Sequence, residues 1–206
     1  MRIFAWRVPP LDNGTYIAVD DRGDALIVDP STGERELLGA VREHGLRVVE
    51  ILNTHGHPDH VFGNGPVKEA TRARLAIHRA DAYRLALAAL GGSYLPPAAP
   101  ATADDLIDEG PLTYLADVEL AALHTPGHTE GSTCFYLRAE RALFSGDVLF
   151  AGNVGRVDLP GGDARAMEES LRRVAALPPD TRVYPGHGPQ TTIGAELPWL
   201  RGFRFG

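Results

Sequence analysis

Three short runs of mostly apolar residues, at 3–8, 15–19 and 25–28, open the chain. Turn formers separate them, Asp12-Asn13-Gly14 and Asp21-Arg22-Gly23-Asp24, so the pattern predicts three strands in an antiparallel meander. Asp29-Pro30-Ser31 ends the meander. Residues 34–44 then carry Leu37, Leu38 and Val41 at helical spacing, with Gly45 as the stop. A mostly apolar run at 48–52 reads as a buried strand. Beyond it the spacing predicts a short helix at 63–71, a strand at 75–77 and a longer helix at 79–90 stopped by Gly91-Gly92-Ser93. The Pro- and Ala-rich stretch 95–103 reads as a loop long enough to serve as a lid.

The second half repeats this logic with predicted strands at 112–115, 118–123, 133–137 and 142–144. A helix is predicted at 164–176, where Met167, Leu171 and Val174 form a stripe suited to core packing, and a last strand at 182–184. Two such halves meeting at a shared edge would place two sheets face to face with helices outside. A length of 206 residues suffices to bury that core, and the expectation is one α/β domain over 1–206.

Composition narrows the classes of function. The single Cys134 excludes an internal disulfide and, within a strand-like run, is expected as a small core residue. The first residues carry no long apolar stretch with a small-residue cleavage site, and no segment reaches the length of a membrane span. A cytoplasmic protein that does not engage a membrane is the expectation. Twenty Lys and Arg against 27 Asp and Glu, a net charge of −7, count against broad nucleic-acid binding.

The candidate chemistry lies in Thr54-His55-Gly56-His57-Pro58-Asp59-His60, directly after the run at 48–52. Imidazole and carboxylate are ligands that Zn²⁺ and Fe²⁺ accept. Turns at Gly56 and Pro58 would let alternate side chains enter one cavity instead of lining a helix face. Three further candidates follow apolar runs in Gly-rich turns: His128 in Thr125-Pro126-Gly127-His128, Asp147 in Ser145-Gly146-Asp147, and His187 in Pro185-Gly186-His187. The remaining histidines fit structural roles: His44 exposed at a helix end, His78 where strand meets helix, and His124 at a strand end, supporting a ligand or the fold.

This HxHxDH run followed by a separated His, Asp and His resembles the metallo-β-lactamase superfamily across nearly the whole chain. The resemblance implies an α/β fold, the four-layer αββα sandwich of that family. It implies two divalent metal ions, zinc first with iron or a mixed pair as alternatives. His55, His57 and His128 would hold one, Asp59, His60 and His187 the other, and Asp147 would bridge them. Asp59 would also orient an attacking hydroxide. Zinc β-lactamases carry Cys where this chain has Asp147, which argues against lactam hydrolysis.

The stretch from Phe150 to Gly162, with Gly155-Arg156-Val157-Asp158, looks like that of short glyoxalase II-like proteins and of the related persulfide dioxygenases. Arg156 falls where full-length glyoxalase II has a basic residue that contacts glutathione. Its guanidinium would either grip a substrate carboxylate or pair with Asp158. Full-length glyoxalase II continues into a helical domain, whereas this sequence stops soon after Pro198-Trp199-Leu200.

The expected activity is hydrolysis of a small-molecule thioester, S-hydroxyacyl-glutathione or similar. One alternative is a persulfide dioxygenase with a single Fe²⁺ on His57 or His55 together with His128 and Asp147. A two-metal phosphodiesterase or nuclease ranks below both. Edge strands and the apolar Phe203 and Phe205 would suit a homodimer.

Overall fold

The N-terminal apolar runs pair as the pattern requires in a computed structural model that describes residues 1–91 and 95–205. Strands β1 (Arg2–Val8), β2 (Asn13–Val19) and β3 (Asp24–Val28) form the antiparallel meander. Helix α1 (Glu34–Glu43) then carries the chain back, so β4 (Arg47–Asn53) lies parallel to β3. One helical turn, α2 (Pro58–Val61), and α3 (Asn64–Thr71) lead to β5 (Arg74–His78), again parallel. After α4 (Arg84–Ala88), β6 (Asp105–Ile107) closes a six-stranded sheet ordered β1-β2-β3-β4-β5-β6.

The second sheet is built from β7 (Gly110–Leu112), β8 (Leu120–His124), β9 (Thr133–Leu137) and β10 (Ala142–Gly146), all antiparallel to their neighbours. Helix α5 (Ala164–Val174) crosses over to β11 (Arg182–Pro185), parallel to β10. Strand β12 (Thr191–Thr192) and helix α6 (Ile193–Leu200) complete the half, giving the order β12-β11-β10-β9-β8-β7.

Strand periodicity sorts the core into three seams. Tyr16, Ala18, Leu26, Val28 and Leu52 face Leu120, Phe135 and Phe144 between the sheets. Their sequence neighbours Ile17, Val19, Ile27 and Ile51 point the other way, onto Leu37 of α1 and Val67 of α3. Tyr136, Leu143 and Val183 likewise meet Met167, Leu171 and Val174 of α5. The result is the αββα sandwich. Each Val, Leu, Ile, Phe or Met among these fully withdrawn from water contributes about 1.5–3 kcal/mol, which is why both faces of both sheets are covered.

Several elements depart from the pattern. The helix expected at 79–90 is a 3₁₀ turn over Arg79–Asp81 and a separate α4, because Asp81 turns its carboxylate into the interior; the expected stop at Gly92 and Ser93 lies outside the described residues. The strand expected at 112–115 sits at Gly110–Leu112, and β6 precedes it. The loop 95–103 is no free lid, since Ala98 is buried with its N–H on the Ala88 carbonyl and Ala101 and Ala103 pack on the seam under α1 and α3. Phe203 and Phe205 pack partly buried against the α5 seam. Among the described residues no helix is long and apolar enough to cross a membrane.

Candidate metal centre and active-site cleft

Parallel pairing aligns the C-terminal ends of β3 and β4 in the first sheet and of β10 and β11 in the second, and every candidate ligand follows β4, β10, β11 or the turn after β8. Such strand ends are where α/β sheets usually place their chemistry. The ligand loop is only partly the series of turns expected. His57 is the N-cap of α2, with Pro58 in its first turn, so Asp59 and His60 leave from a helix and not from an extended loop. Glycine is needed at two points near these ends. A Cβ on Gly186 would lie 2.1 Å from Asp147 Oδ1, and one on Gly146, whose φ is +48°, would lie 2.4 Å from Thr54 Oγ1.

The seven predicted ligands come together. His55, His57 and His128 place ligand atoms within 4.8 Å of one another, and so do Asp59, His60 and His187. Within the first cluster His57 Nδ1 is 2.8 Å from His128 Nε2. Within the second, His60 Nε2 is 3.3 Å from His187 Nε2, and Asp59 Oδ2 is 3.4 Å from each. Asp147 stands between them, its Oδ2 3.3 Å from His128 Nε2 and 3.4 Å from His187 Nε2, its Oδ1 3.3 Å from His60 Nε2.

The outer ring nitrogens decide which lone pairs point inward. His128 Nδ1 is 2.7 Å from the Arg156 carbonyl and His187 Nδ1 is 2.9 Å from the Leu11 carbonyl, so both donate there and leave Nε2 for the centre. Thr54 Oγ1 donates to Asp29 Oδ2 at 2.6 Å and therefore accepts from His55 Nδ1 at 3.1 Å. His60 Nδ1 lies 3.0 Å from the same Asp29 oxygen. His55 Nε2 and Asp147 Oδ1 are buried with no hydrogen-bond partner. Buried polar atoms are rarely left unsatisfied, and a cation at the centre would satisfy both, so the residues fit a metal.

The electrostatics agree. Burial, with His128 beside it, pushes His57 down to about 3, and burial with His60 nearby lowers His55 as well. Burial opposes charge on His187, but hydrogen bonds to Asp147 and Asp59 outweigh it and raise the ring to about 10. For His60 the carboxylates of Asp59 and Asp147 likewise overcome burial. Asp59 and Asp147 are held below the ordinary carboxylate range against their own burial, chiefly by His60. The two carboxylates stay ionised in a buried site and draw positive charge to it, here the protons on His60 and His187.

A half-open cleft of about 410 Å³ leads to this centre from solvent. Leu11, Leu95, Phe150 and Leu159 give it apolar walls, and Arg156 lies at its rim. The Phe150 ring meets His187 edge-on at 5.7 Å. Arg156 is forked onto Asp158 at 2.7 and 2.6 Å, the pairing that competed with a substrate carboxylate in the sequence reading.

Other histidines stay outside the clusters. His44 is exposed and stacks on Phe4, while His78 and His124 stack on each other at 4.0 Å. His124 Nε2 lies 2.9 Å from the Glu130 carbonyl. Burial pushes the Cys134 thiol up to about 12, fitting a core role and no nucleophile.

Three supporting residues escaped the sequence reading. Asp29 follows β3, the parallel neighbour of the ligand strand, and that adjacency was the available signal. Asn13, whose amide donates to Asp59 Oδ2 at 2.8 Å, and Asp81, which holds the Gly56 N–H, had none beyond being polar residues at element ends.

Comparison with known proteins places this geometry. The family model of the metallo-beta-lactamase superfamily matches residues 9–187. The chain is 40% identical over 173 residues to a hydroxyacylglutathione hydrolase of Polaromonas sp. (strain JS666), covering 83% of this chain and 60% of that one. Among solved structures it is similar to BLEG-1 B3 metallo-beta-lactamase, at 33% identity and a TM-score of 0.86, covering 96% and 97% of the two chains. It is also similar to TTHA1623 in a di-iron-bound form, at 36% identity and a TM-score of 0.83, covering 94% and 96%.

Proposed function

We propose, from the premise that this chain belongs to the metallo-β-lactamase superfamily, that it is a metal-dependent hydrolase of a small thioester, of the glyoxalase II type. The observation that carries the proposal is the convergence of two ligand clusters on Asp147 at the floor of an apolar-walled cleft. The Polaromonas relative, a hydroxyacylglutathione hydrolase, points to S-hydroxyacyl-glutathione or a similar thiol ester as substrate. The chain spans 60% of that relative's length, so the glutathione part belongs to the proposal.

His55, His57 and His128 would hold one divalent cation, Asp59, His60 and His187 the second, with Asp147 shared. Zinc is the first assignment; the di-iron form of TTHA1623 supports iron as the alternative. Cations so held would supply a hydroxide near neutral pH and polarise an acyl oxygen. Asp59, fixed by Asn13, is placed to orient the attacking water. Phe150, Leu11 and Leu159 exclude bulk water and receive the apolar part of the substrate. Arg156 marks the rim where a polar group of the substrate would lie.

A second reading rests on His128 Nε2 lying 3.3 Å from Asp147 Oδ2 and 2.8 Å from His57 Nδ1, a two-His-one-carboxylate set suited to a single Fe²⁺ and persulfide oxidation. Elemental analysis of protein purified without added metal, followed by parallel assays, separates the readings. Two metals per chain with release of thiol from S-lactoylglutathione is the expected result. One iron per chain with oxygen uptake on glutathione persulfide would replace the hydrolase by the dioxygenase, and turnover confined to a cephalosporin would replace it by a lactamase.

A further inference from the structure

Asp81 and Arg84 belong to neither ligand cluster, yet they touch each loop that surrounds the first one. Asp81 is fully buried and its carboxylate accepts four hydrogen bonds. Oδ2 takes the Gly56 N–H and the Thr129 hydroxyl, both at 2.8 Å. Oδ1 takes the Gly131 N–H at 2.8 Å and Arg84 Nε at 3.2 Å. Gly56 sits between His55 and His57, and Thr129 follows His128, so one carboxylate spans the two loops that must meet to form the cluster. Arg84, itself buried, continues outward, with Nη2 bonded to the Pro160 carbonyl at 2.8 Å and to the Glu130 carboxylate. Pro160 lies on the cleft loop whose Arg156 carbonyl anchors His128.

Packing is as tight as the bonding. A Cβ on Gly56 would lie 2.5 Å from Arg84 Cβ, and one on Gly131 would lie 2.6 Å from Asp81 Cβ. The two loops press against this pair with no room to slide. The second cluster is anchored by other groups: Asn13 on Asp59, Asp29 on His60, and the Leu11 carbonyl on His187.

We infer that Asp81 and Arg84 are positioning residues that set the distance between the His55–His57 loop and the His128 loop, and so tune cation affinity at the first cluster while leaving the second alone. The inference rests on the metal reading above. Its physical basis is acceptor count. All four bonds of Asp81 come from donors, and asparagine would put an NH₂ group where one carboxylate oxygen stood. The Gly56 or the Gly131 N–H would then face a donor in a buried site, and its loop would move. Groups that orient ligands from behind typically alter metal affinity by about 10–100-fold.

The test is Zn²⁺ titration of the metal-free full chain against a chromophoric chelator, with histidine-ring NMR to show which imidazoles are ligated. Asp81→Asn should weaken the first-cluster cation by about 10–100-fold and leave the second within about twofold. Thr129→Val removes one of the four bonds while keeping side-chain shape, and should weaken the same cation by about tenfold or less. This variant answers the question even if Asp81→Asn does not fold. Arg84→Lys, which keeps the charge but loses the fork, should behave like Thr129→Val. Equal weakening at both clusters, or no change at either in a folded variant, would overturn the inference alone. A wild-type chain that binds no Zn²⁺ would overturn the metal reading and this inference with it.

Discussion

The two ligand clusters share one wall, Asp147, and differ in charge. The first is three imidazoles, and burial keeps two of them, His55 and His57, readily deprotonated. The second combines two imidazoles with Asp59, and its carboxylate neighbours hold protons on His60 and His187 in spite of burial. A neutral, donor-rich pocket is ready for a cation as it stands, whereas an anionic pocket keeps protons in the place of one. The supporting contacts follow the same division, with Asp81 tying the loops of the first cluster and Asn13 fixing the carboxylate of the second.

The shared wall is the first place to strike. Asp147→Ala should empty both clusters and lower thioester hydrolysis by roughly 10³-fold or more, read by elemental analysis and kcat. Retained metal with a normal rate would show that the clusters do not depend on a common carboxylate. Asp29 reaches both from behind, through Thr54 to His55 and directly to His60, so Asp29→Asn should weaken both cations by about 10–100-fold in a chelator competition. Weakening of one alone would mean that the Thr54 relay or the direct contact is idle.

Charge makes a third prediction, about protons. His187 is raised to about 10 from 6.5 and is therefore protonated at pH 7 in the metal-free chain. A cation entering the second cluster must displace that proton, so this ring alone should make affinity there rise by about tenfold per pH unit as the pH climbs towards 10. His57, at about 3, is already neutral, and the first cluster should show no such rise from that ring above pH 5. Calorimetry in buffers of different ionisation enthalpy measures the protons released at each step. Equal release at both steps would erase the distinction.

Smaller effects sharpen the boundary of the site. Because Asp158 occupies the fork of Arg156, Arg156→Ala should keep both metals and raise KM for carboxylate-bearing and neutral thioesters alike, by about fivefold or less. A selective rise for the carboxylate would show the fork re-pairing with substrate. His124→Gln should change neither metal content nor activity and cost about 1 kcal/mol or less in chemical denaturation, since its ring stacks on His78 outside both clusters.

Much of this molecule was legible because its signals are local. Period-two runs and turn residues predicted the meander of β1 to β3, and the stripe Met167, Leu171, Val174 predicted α5. The ligands were legible because chemistry restricts their residue types and glycine turns mark their loops. Asp81 was not. It lies in a segment of helical spacing, and only its contacts with Gly56 and Gly131, 25 and 50 residues away, break the helix and give the carboxylate its use. The shift of β7 to Gly110–Leu112 has a similar origin, for pairing with β8 sets its limits and not its own apolar content. Arg156 was left between two partners, and the fold placed Asp158 in its fork.

By itself, then, the sequence determined the kinds of element, the buried faces and the donor set, because periodicity and residue chemistry act over a few neighbouring positions. Tertiary structure alone decided which lone pairs point inward and that Asp29 and Asp81 hold the ligands from behind. Those facts depend on loops from two sheets, distant in sequence, converging at one place, and on a dry interior where each buried donor and acceptor must find its partner.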